Sequence, residues 1–450
     1  MTRTRLDSLY LLLLGSAVFL LAGIAMEKTA PGKAMDFKGL YYPARSLVQH
    51  RDPYAQSEVL RVYQADGGDR AAETAKGRQI ATQNVYPPSA FFLTAPFAFL
   101  PWGPAHTLWL ALIAGSLIIA SFLIWNLAAD YAPILSGALV GFFLANSEVL
   151  MITGNAAGIV VSLCAVAVWC FLRNRYVFAG ALCFAVSLAL KPHDTGLVWL
   201  YFLLAGGVYR KRALQTLLAT VLLGLPGALW VSFIAPHWIQ EMHSNILAFS
   251  AHGGINDPGL ASIGGHGLDM LISLQTIFST FRDEPRFYNP ASYLICLPLL
   301  VLWAIVTVRC RPSPKRAWLA LAAIAALSML PIYHRQLDAK LLLLTVPACA
   351  MLWAEGGPIA WFALVLNSAG FVLTGDLPWS VFLAIISSLH PSSTGLSRPI
   401  LTDMQMFPVP LILLIIAIFY LWVYLRHAFA PAPPAGNPEP HDRLIESTPA

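Results

Sequence analysis

The sequence predicts an all-α polytopic membrane protein, a bundle of about twelve transmembrane helices. Of its 450 residues, 57% are hydrophobic and only 11% are charged, whereas an ordinary soluble domain has about 25% charged residues. The apolar residues also occur in runs of about 20, the length needed to cross about 30 Å of hydrocarbon. A soluble enzyme is therefore excluded. The net charge of +5 is too small and too scattered to indicate a nucleic-acid partner.

Residues 1–429 contain all the predicted spans and form one integral-membrane domain. The tail at 430–450 is rich in Pro and Ala with interspersed charges, and we expect it to be a disordered cytoplasmic tail. The predicted spans lie approximately at 9–25, 105–127, 132–151, 156–172, 176–190, 195–209, 214–235, 291–308, 317–333, 339–353, 358–374 and 407–425.

Basic residues cluster in every second connection between these spans, which indicates the cytoplasmic side. Arg173 with Arg175 and the run at 210–212 are two of these clusters. The sequence therefore predicts a multi-pass protein of the plasma (inner) membrane with both termini in the cytoplasm. The long connections at 27–88, 236–290 and 375–406 then lie on the outer face. Connections longer than about 15 residues are usually functional or disordered.

The first outer loop contains two apolar stretches that are too short to span the membrane. From Met35 the apolar residues have helical spacing, which predicts an amphipathic helix on the membrane surface. From Ser89 to Leu100 the chain is apolar and bracketed by prolines. We expect a re-entrant or interfacial helix there.

Asp36 stands about ten residues beyond the first span, close to the lipid headgroups. A carboxylate at this depth is placed to meet a lipid-borne substrate and to act as a general base. Alternatively, Asp36 is only the N-cap of a helix that begins at Phe37.

Ionisable residues also mark the outer ends of two later spans. Lys191 closes the fifth predicted span, and His334 with Arg335 joins the ninth to the tenth. Lys binds a phosphate as a point charge and Arg as a bidentate fork, so these residues suit an anionic lipid phosphate. The alternative is that they snorkel to headgroups or pair with Asp194 and Asp338.

Short motifs follow one another in order from residue 36 to about 192, and together they resemble glycosyltransferase family 87, polytopic enzymes of the GT-C type. The motifs are Asp36-Phe with Tyr41-Tyr42, Asp52-Pro-Tyr, Tyr86-Pro-Pro, Pro96 and Leu100-Pro, Gly154-Asn, and Ala179-Gly-Ala-Leu ending in Leu190-Lys-Pro. His334 and its neighbours extend the resemblance to about residue 338.

The resemblance implies a mannosyltransferase-like enzyme that uses a polyprenyl-phosphate sugar donor. Asp36 would be its catalytic base. The sequence departs from the family pattern at Gly154-Asn, where we expect Gly-Gln, and this leaves the role of that amide open. The donor phosphate would be bound by Lys191, His193, His334 and Arg335, and the substrate cavity would be lined by Tyr41, Tyr42, Tyr86 and Asn155.

The predicted function is transfer of a sugar, by resemblance mannose, to a glycolipid, a polysaccharide or another acceptor on the outer face. A polytopic transporter or flippase of a lipid-linked sugar is the alternative. No cofactor is expected, and no metal, because such a donor has no pyrophosphate to neutralise and the chain has no convincing Asp-x-Asp pair. His237, His243, His252 and His266 are too widely spaced in the second outer loop for a zinc site. We expect that loop to cover the cavity instead.

Overall fold

A computed structural model describes residues 2–29, 34–68, 75–259, 271–376 and 408–429, and these segments are mainly helical. The helices are α1 Arg3–Thr29, α2 Met35–Val48, α3 Gln56–Ala65, α4 Ala75–Thr82, α5 Pro88–Ala98, α6 Trp102–Ala128, α7 Pro133–Leu144, α8 Val149–Thr153, α9 Ala157–Arg173, α10 Val177–Leu190, α11 Pro192–Leu204, α12 Gly207–Ile234, α13 Trp238–Ser250, α14 Leu274–Phe281, α15 Pro285–Arg309, α16 Pro314–Leu327, a 3₁₀ helix Gln336–Thr345, α17 Val346–Glu355, α18 Gly357–Leu373 and α19 Pro408–Ala428.

Seven helical stretches among the described residues are long and apolar enough to cross a membrane. They are α1, α6, α7 with α8, α12, α15, the 3₁₀ helix with α17, and α19. The other predicted spans coincide with shorter helices, namely α9, α10, α11, α16 and α18. The prediction of a multi-pass helical membrane protein is thus confirmed, and the count of twelve spans stays a prediction.

The helices divide into a central group and a lipid-facing group. All eleven residues from Ala317 to Leu327 of α16 are buried, and so are all ten residues of the 3₁₀ helix. In contrast, only five of the 28 residues of α12 are buried, and apolar side chains such as Leu222 and Phe233 point outwards. Such an apolar outer surface is what hydrocarbon requires.

Glycines let α1 and α7 approach each other closely. A Cβ atom at Gly15 would lie 2.1 Å from the carbonyl oxygen of Gly141, and one at Gly137 would lie 2.3 Å from that of Ser8. Close backbone contact through small residues is a common way to associate helices in a membrane. A larger side chain at either position would force α1 off α7.

The helix predicted from Met35 is confirmed as α2, but its cap differs from the prediction. Its N-cap is Ala34, which has a left-handed backbone (φ 52°) and no side-chain cap hydrogen bond. Asp36 lies inside the first turn, so the interpretation of Asp36 as the N-cap of a helix from Phe37 is wrong. Most of α2 is buried against α4 and α5, and its contact with the membrane surface stays a prediction.

The apolar stretch predicted from Ser89 to Leu100 forms α5, which has 11 residues and is too short to span the membrane. Its Ser89 hydroxyl donates a 2.6 Å hydrogen bond to the Ala189 carbonyl near the end of α10. The first loop is therefore attached to the point where α10 gives way to α11. The third outer loop from residue 377, the tail from 430 and His266 lie outside the described residues.

Candidate active site

Asp36 is held at the place where the turn after α8 meets the start of α2. The Asn155 side-chain amide donates a 2.8 Å hydrogen bond from Nδ2 to Asp36 Oδ2. Its Oδ1 accepts from the backbone N–H of Ala157 at 2.7 Å, which fixes the orientation of the amide. An ionised carboxylate is a pure acceptor, so the Asn155 amide N–H suits it as a donor. Asp36 remains half-buried.

Gly154 makes this contact possible. Its backbone is left-handed (φ +64°), and a Cβ atom there would lie 2.9 Å from the Cβ of Phe37. The Trp109 indole N–H donates to the Gly154 carbonyl at 2.8 Å and anchors the turn on α6. The motifs Asp36-Phe and Gly154-Asn, which are 118 residues apart by their first members, are therefore in direct contact. Asn155 is one methylene shorter than the Gln of the family pattern, yet its amide reaches Asp36.

Tyr86 is influenced by Asp36 and by Lys191 at the end of α10. Burial raises the pKa of its phenol, Lys191 lowers it, and the negative charge of Asp36 raises it further. These opposing effects place Tyr86 within electrostatic reach of both groups. The Tyr54 hydroxyl of the Asp52-Pro-Tyr motif donates a 2.6 Å hydrogen bond to the Tyr86 carbonyl and so holds this loop in position.

Lys191 stands at the break between α10 and α11 and pairs with two carboxylates. Its Nζ lies 2.9 Å from Asp194 Oδ2 and 2.7 Å from Asp338 Oδ1. The three residues are 7%, 2% and 3% exposed. Burial lowers the pKa of Lys191, but the two carboxylates outweigh burial and hold it well above its ordinary value. Lys191 therefore stays charged, and the ion pairing that the sequence offered as the alternative is present.

The two predicted histidines face each other beside this ion pair. The ring centroids of His193 and His334 are 5.5 Å apart. His193 Nε2 lies 3.0 Å from Asp194 Oδ1, and His334 Nε2 lies 4.0 Å from the same oxygen. Burial is the main cause that lowers the pKa of His334. A neutral imidazole at this place has one N–H donor and one acceptor for a bound ligand.

Arg335 points away from Lys191 towards the second outer loop. Its Nε donates to the Tyr333 hydroxyl at 2.8 Å, and its Nη2 donates to the Ile255 carbonyl at 2.8 Å and to Asn256 Oδ1 at 3.2 Å. Its backbone N–H donates to Asp338 Oδ2 at 2.8 Å. The predicted cations thus gather at one end of the molecule, together with two carboxylates that offset their charge.

Tyr41 and Tyr42 are packed in the interior, 0% and 3% exposed. The Tyr41 hydroxyl donates to the Leu100 carbonyl at 2.8 Å, and the Tyr42 ring stacks on Trp102 with centroids 5.8 Å apart. These contacts of Tyr41 and Tyr42 fix α2, the helix that carries Asp36 in its first turn. Their predicted place in the cavity lining stays a prediction.

An apolar cavity of about 210 Å³ lies between α5, α6, α9 and α10. Its lining includes Trp109, which anchors the Gly154 turn, and Leu190, which directly precedes Lys191. One lining residue is thus the chain neighbour of the ion-paired lysine.

Sequence reasoning missed two features of this site. One is the contact of Arg335 with Ile255 and Asn256, which joins two segments about 80 residues apart. The other is the 3₁₀ helix that turns Asp338 inwards to Lys191. The spacing of Asp338 three residues after Arg335, typical of a capping box, is the one sequence signal for it.

A model of glycosyltransferase family 87 matches residues 84–332 of this chain. The match includes Tyr86, Asn155, Lys191 and His193, and it excludes Asp36, His334 and Arg335. No curated protein and no solved structure matches the chain.

Proposed function

Because the chain belongs to glycosyltransferase family 87, we propose that it transfers a sugar from a polyprenyl-phosphate-linked donor to a glycolipid, polysaccharide or other acceptor. Mannose is the sugar that the family resemblance favours. The reaction would take place on the outer face of the plasma membrane, with both termini in the cytoplasm. The clustered basic residues of the short connections support this orientation.

One observation carries the proposal: a half-buried carboxylate and a buried cation cluster both act electrostatically on Tyr86. Asp36 is held by Asn155, and Lys191 is held by Asp194 and Asp338, which supports a single site for the two groups. Glycosyl transfer from a lipid phosphate needs a base for the acceptor hydroxyl. It also needs positively charged or hydrogen-bond-donating groups for the phosphate.

In the proposed reaction, Asp36 accepts the proton of an acceptor hydroxyl as its oxygen attacks the anomeric carbon. The bond between that carbon and the phosphate oxygen breaks, and the phosphate leaves with the bonding electrons. Positioned base catalysis contributes typically about 10²–10⁴-fold. The stereochemical course is open.

The leaving phosphate gains negative charge as the bond breaks. Lys191 stays charged, and the half-buried His193 beside it can offer a ring N–H. Because Asp194 and Asp338 already offset the lysine, a dianionic phosphate would compete with them for Lys191. Arg335, which precedes the 3₁₀ helix, would act from beside the second outer loop, where Ile255 and Asn256 accept its hydrogen bonds. Stabilisation that grows with the developing charge lowers the barrier.

The apolar cavity of about 210 Å³ supports a lipid-borne donor, because its lining includes Leu190, the chain neighbour of Lys191. A prenyl chain in this space would bring its phosphate to the cation cluster. A soluble nucleotide-sugar donor would have no use for such a cavity.

The test is sugar transfer by the full chain in membranes, with radiolabelled polyprenyl-phosphate mannose or the matching nucleotide sugar as donor. We expect transfer from the lipid-linked donor alone. Transfer from the nucleotide sugar in membranes depleted of polyprenyl phosphate would contradict the donor class. Passage of the labelled lipid across vesicles without any transfer would point to a transporter instead.

A further inference from the structure

The connection from α13 to α15 brings together one imidazole and two carboxylates. His252 follows α13, Asp257 lies in the next turn, and Asp283 lies between α14 and α15. One ligand atom from each of the three lies within 4.8 Å of the others. His252 Nδ1 is 3.4 Å from Asp257 Oδ2 and 4.0 Å from Asp283 Oδ1.

Asp257 is fixed in place by donors from its surroundings. It is 0% exposed. Its Oδ2 accepts from the Gly253 N–H at 2.6 Å, and its Oδ1 accepts from the Gly259 N–H at 3.0 Å and from the Tyr288 hydroxyl at 3.1 Å. Outer hydrogen bonds of this kind orient the carboxylate ligands of metal ions.

Asp283 supplies the observation that points to a ligand. The Asp283 side chain is 26% exposed, but its Oδ1 is shielded from solvent and accepts no hydrogen bond from the described residues, and leaving such an atom unsatisfied is costly. The neighbouring Arg282 pairs with Glu284 at 2.8 Å instead. A Cβ atom at Gly259 would lie 2.0 Å from this oxygen, so the glycine leaves the space that the Asp283 carboxylate occupies.

We propose that His252, Asp257 and Asp283 bind a divalent transition-metal ion, with water completing its coordination. Ligand atoms around a tetrahedral ion with bonds of about 2.0–2.1 Å are about 3.4 Å apart, close to the distances between His252 and the carboxylates. The His252 side chain is 55% exposed, which leaves it free to adjust and leaves a side open to water. One nitrogen and two oxygen donors suit Zn²⁺ or Mn²⁺ better than Ca²⁺, which prefers oxygen alone.

The ion would act on the loop that holds Arg335. The turn that carries Asp257 also supplies the Ile255 carbonyl and Asn256 Oδ1, which accept hydrogen bonds from Arg335. A metal that ties His252 and Asp257 to Asp283 would fix this turn against α15. The site is separate from the Lys191 cluster, and it does not depend on which sugar donor the protein uses.

Metal binding by the purified full chain in detergent tests the proposal. After EDTA treatment and gel filtration, the protein is titrated with ZnCl₂ and separately with MnCl₂ by calorimetry, and bound metal is counted by mass spectrometry. We expect one ion per chain, and at least tenfold weaker binding in His252→Ala and Asp283→Asn. His243→Ala is the matched control, because it removes an exposed histidine of α13 outside the cluster.

The same ion should raise the melting temperature of the wild type and of His243→Ala but not that of His252→Ala. Because His252 is mostly exposed, its replacement leaves the fold intact. Two results would overturn the proposal: a wild type that binds neither metal stoichiometrically, or His252→Ala and Asp283→Asn variants that bind as tightly as the wild type. Neither result bears on sugar transfer, so the proposed function is judged separately.

Discussion

Asp36 and Lys191 both act electrostatically on Tyr86, but their surroundings differ. Asp36 is half-buried and is oriented by one amide, that of Asn155. Lys191 is 7% exposed and lies within 2.9 Å of two buried carboxylates. A base that exchanges protons with a substrate must stay accessible, whereas a buried charge must be compensated before a ligand arrives. Substitution of Asp36 should therefore act on rate, and substitution of Lys191 on stability.

The largest effect is expected for Asp36→Asn, which keeps the shape of the side chain but removes the base. Sugar transfer should fall by about 10²–10⁴-fold with an unchanged melting temperature. The measurement is transfer of radiolabelled sugar in membranes at matched expression. Glu58→Gln is the control, since Glu58 forms only exposed ion pairs with Arg51 and Arg61 in the same loop. Equal transfer by Asp36→Asn and wild type would remove Asp36 from the chemistry.

Lys191→Met should lower the free energy of unfolding by about 3–5 kcal/mol, because it leaves two buried carboxylates without their cation. Adding Asp194→Asn to this variant should restore part of the loss. Thermal unfolding in detergent measures both.

The matched control for Lys191→Met is Lys315→Met. Lys315 pairs with Glu355 at 2.6 Å, but both side chains are 39% exposed, so the loss should be at most about 1 kcal/mol. The expected effect of Lys191 on stability is contradicted if Lys191→Met melts like the wild type and only raises the KM for the donor. Lys191 would then be a phosphate ligand with no structural part.

Asn155→Ala should reduce transfer by about 10- to 150-fold, because a hydrogen bond to a charged group contributes about 1.5–3 kcal/mol. Transfer of radiolabelled sugar in membranes at matched expression measures the loss. Asn155→Gln keeps the amide and should recover much of the activity. Equal transfer by Asn155→Ala and the wild type would show that Asn155 does not orient the base.

The smallest effect is expected for the contribution of His334 to the pH dependence of stability. Burial, the largest cause, and Lys191 lower the pKa of His334, against the opposing charge of Asp338. Below about pH 6.5 the unfolded chain binds a proton that the folded chain resists. Stability should therefore fall with acidification, by at most about 1.4 kcal/mol per pH unit for this group. Melting temperatures between pH 7.5 and 5.5 measure the slope.

His334→Gln should show a shallower fall in melting temperature with acidification. His243→Ala serves as the control, because His243 is exposed on α13. A slope in His334→Gln that equals the wild-type slope would assign the acid sensitivity to other groups.

Features encoded in contiguous sequence were the ones that could be predicted. Apolar runs predicted the helices, and the prolines around α5 predicted a helix too short to span. The sequence predicted a helix from Met35, where α2 begins, but it did not predict the cap, because Ala34 is held by a backbone hydrogen bond to Ile152 rather than by a side chain.

Features that depend on long-range packing could not be predicted. The Asn155 amide meets Asp36 only because the Gly154 turn packs on Phe37. The histidine spacing in the second outer loop argued against a metal, but the candidate group combines one histidine with Asp257 and Asp283, which no local pattern joins. The geometry of the candidate site depends on contacts between residues far apart in sequence, and a single sequence does not reveal these contacts.

The hydrogen bond from Ser89 to Ala189 supplies a partner that the end of α10 lacks. α10 ends at Leu190 and Pro192 opens α11, so carbonyls in the last turn of α10 have no helical partner. Ala189 is 3% exposed, so the Ser89 hydroxyl completes a hydrogen bond that solvent does not supply. A substitution at Ser89, in α5, would thus weaken the break that carries Lys191.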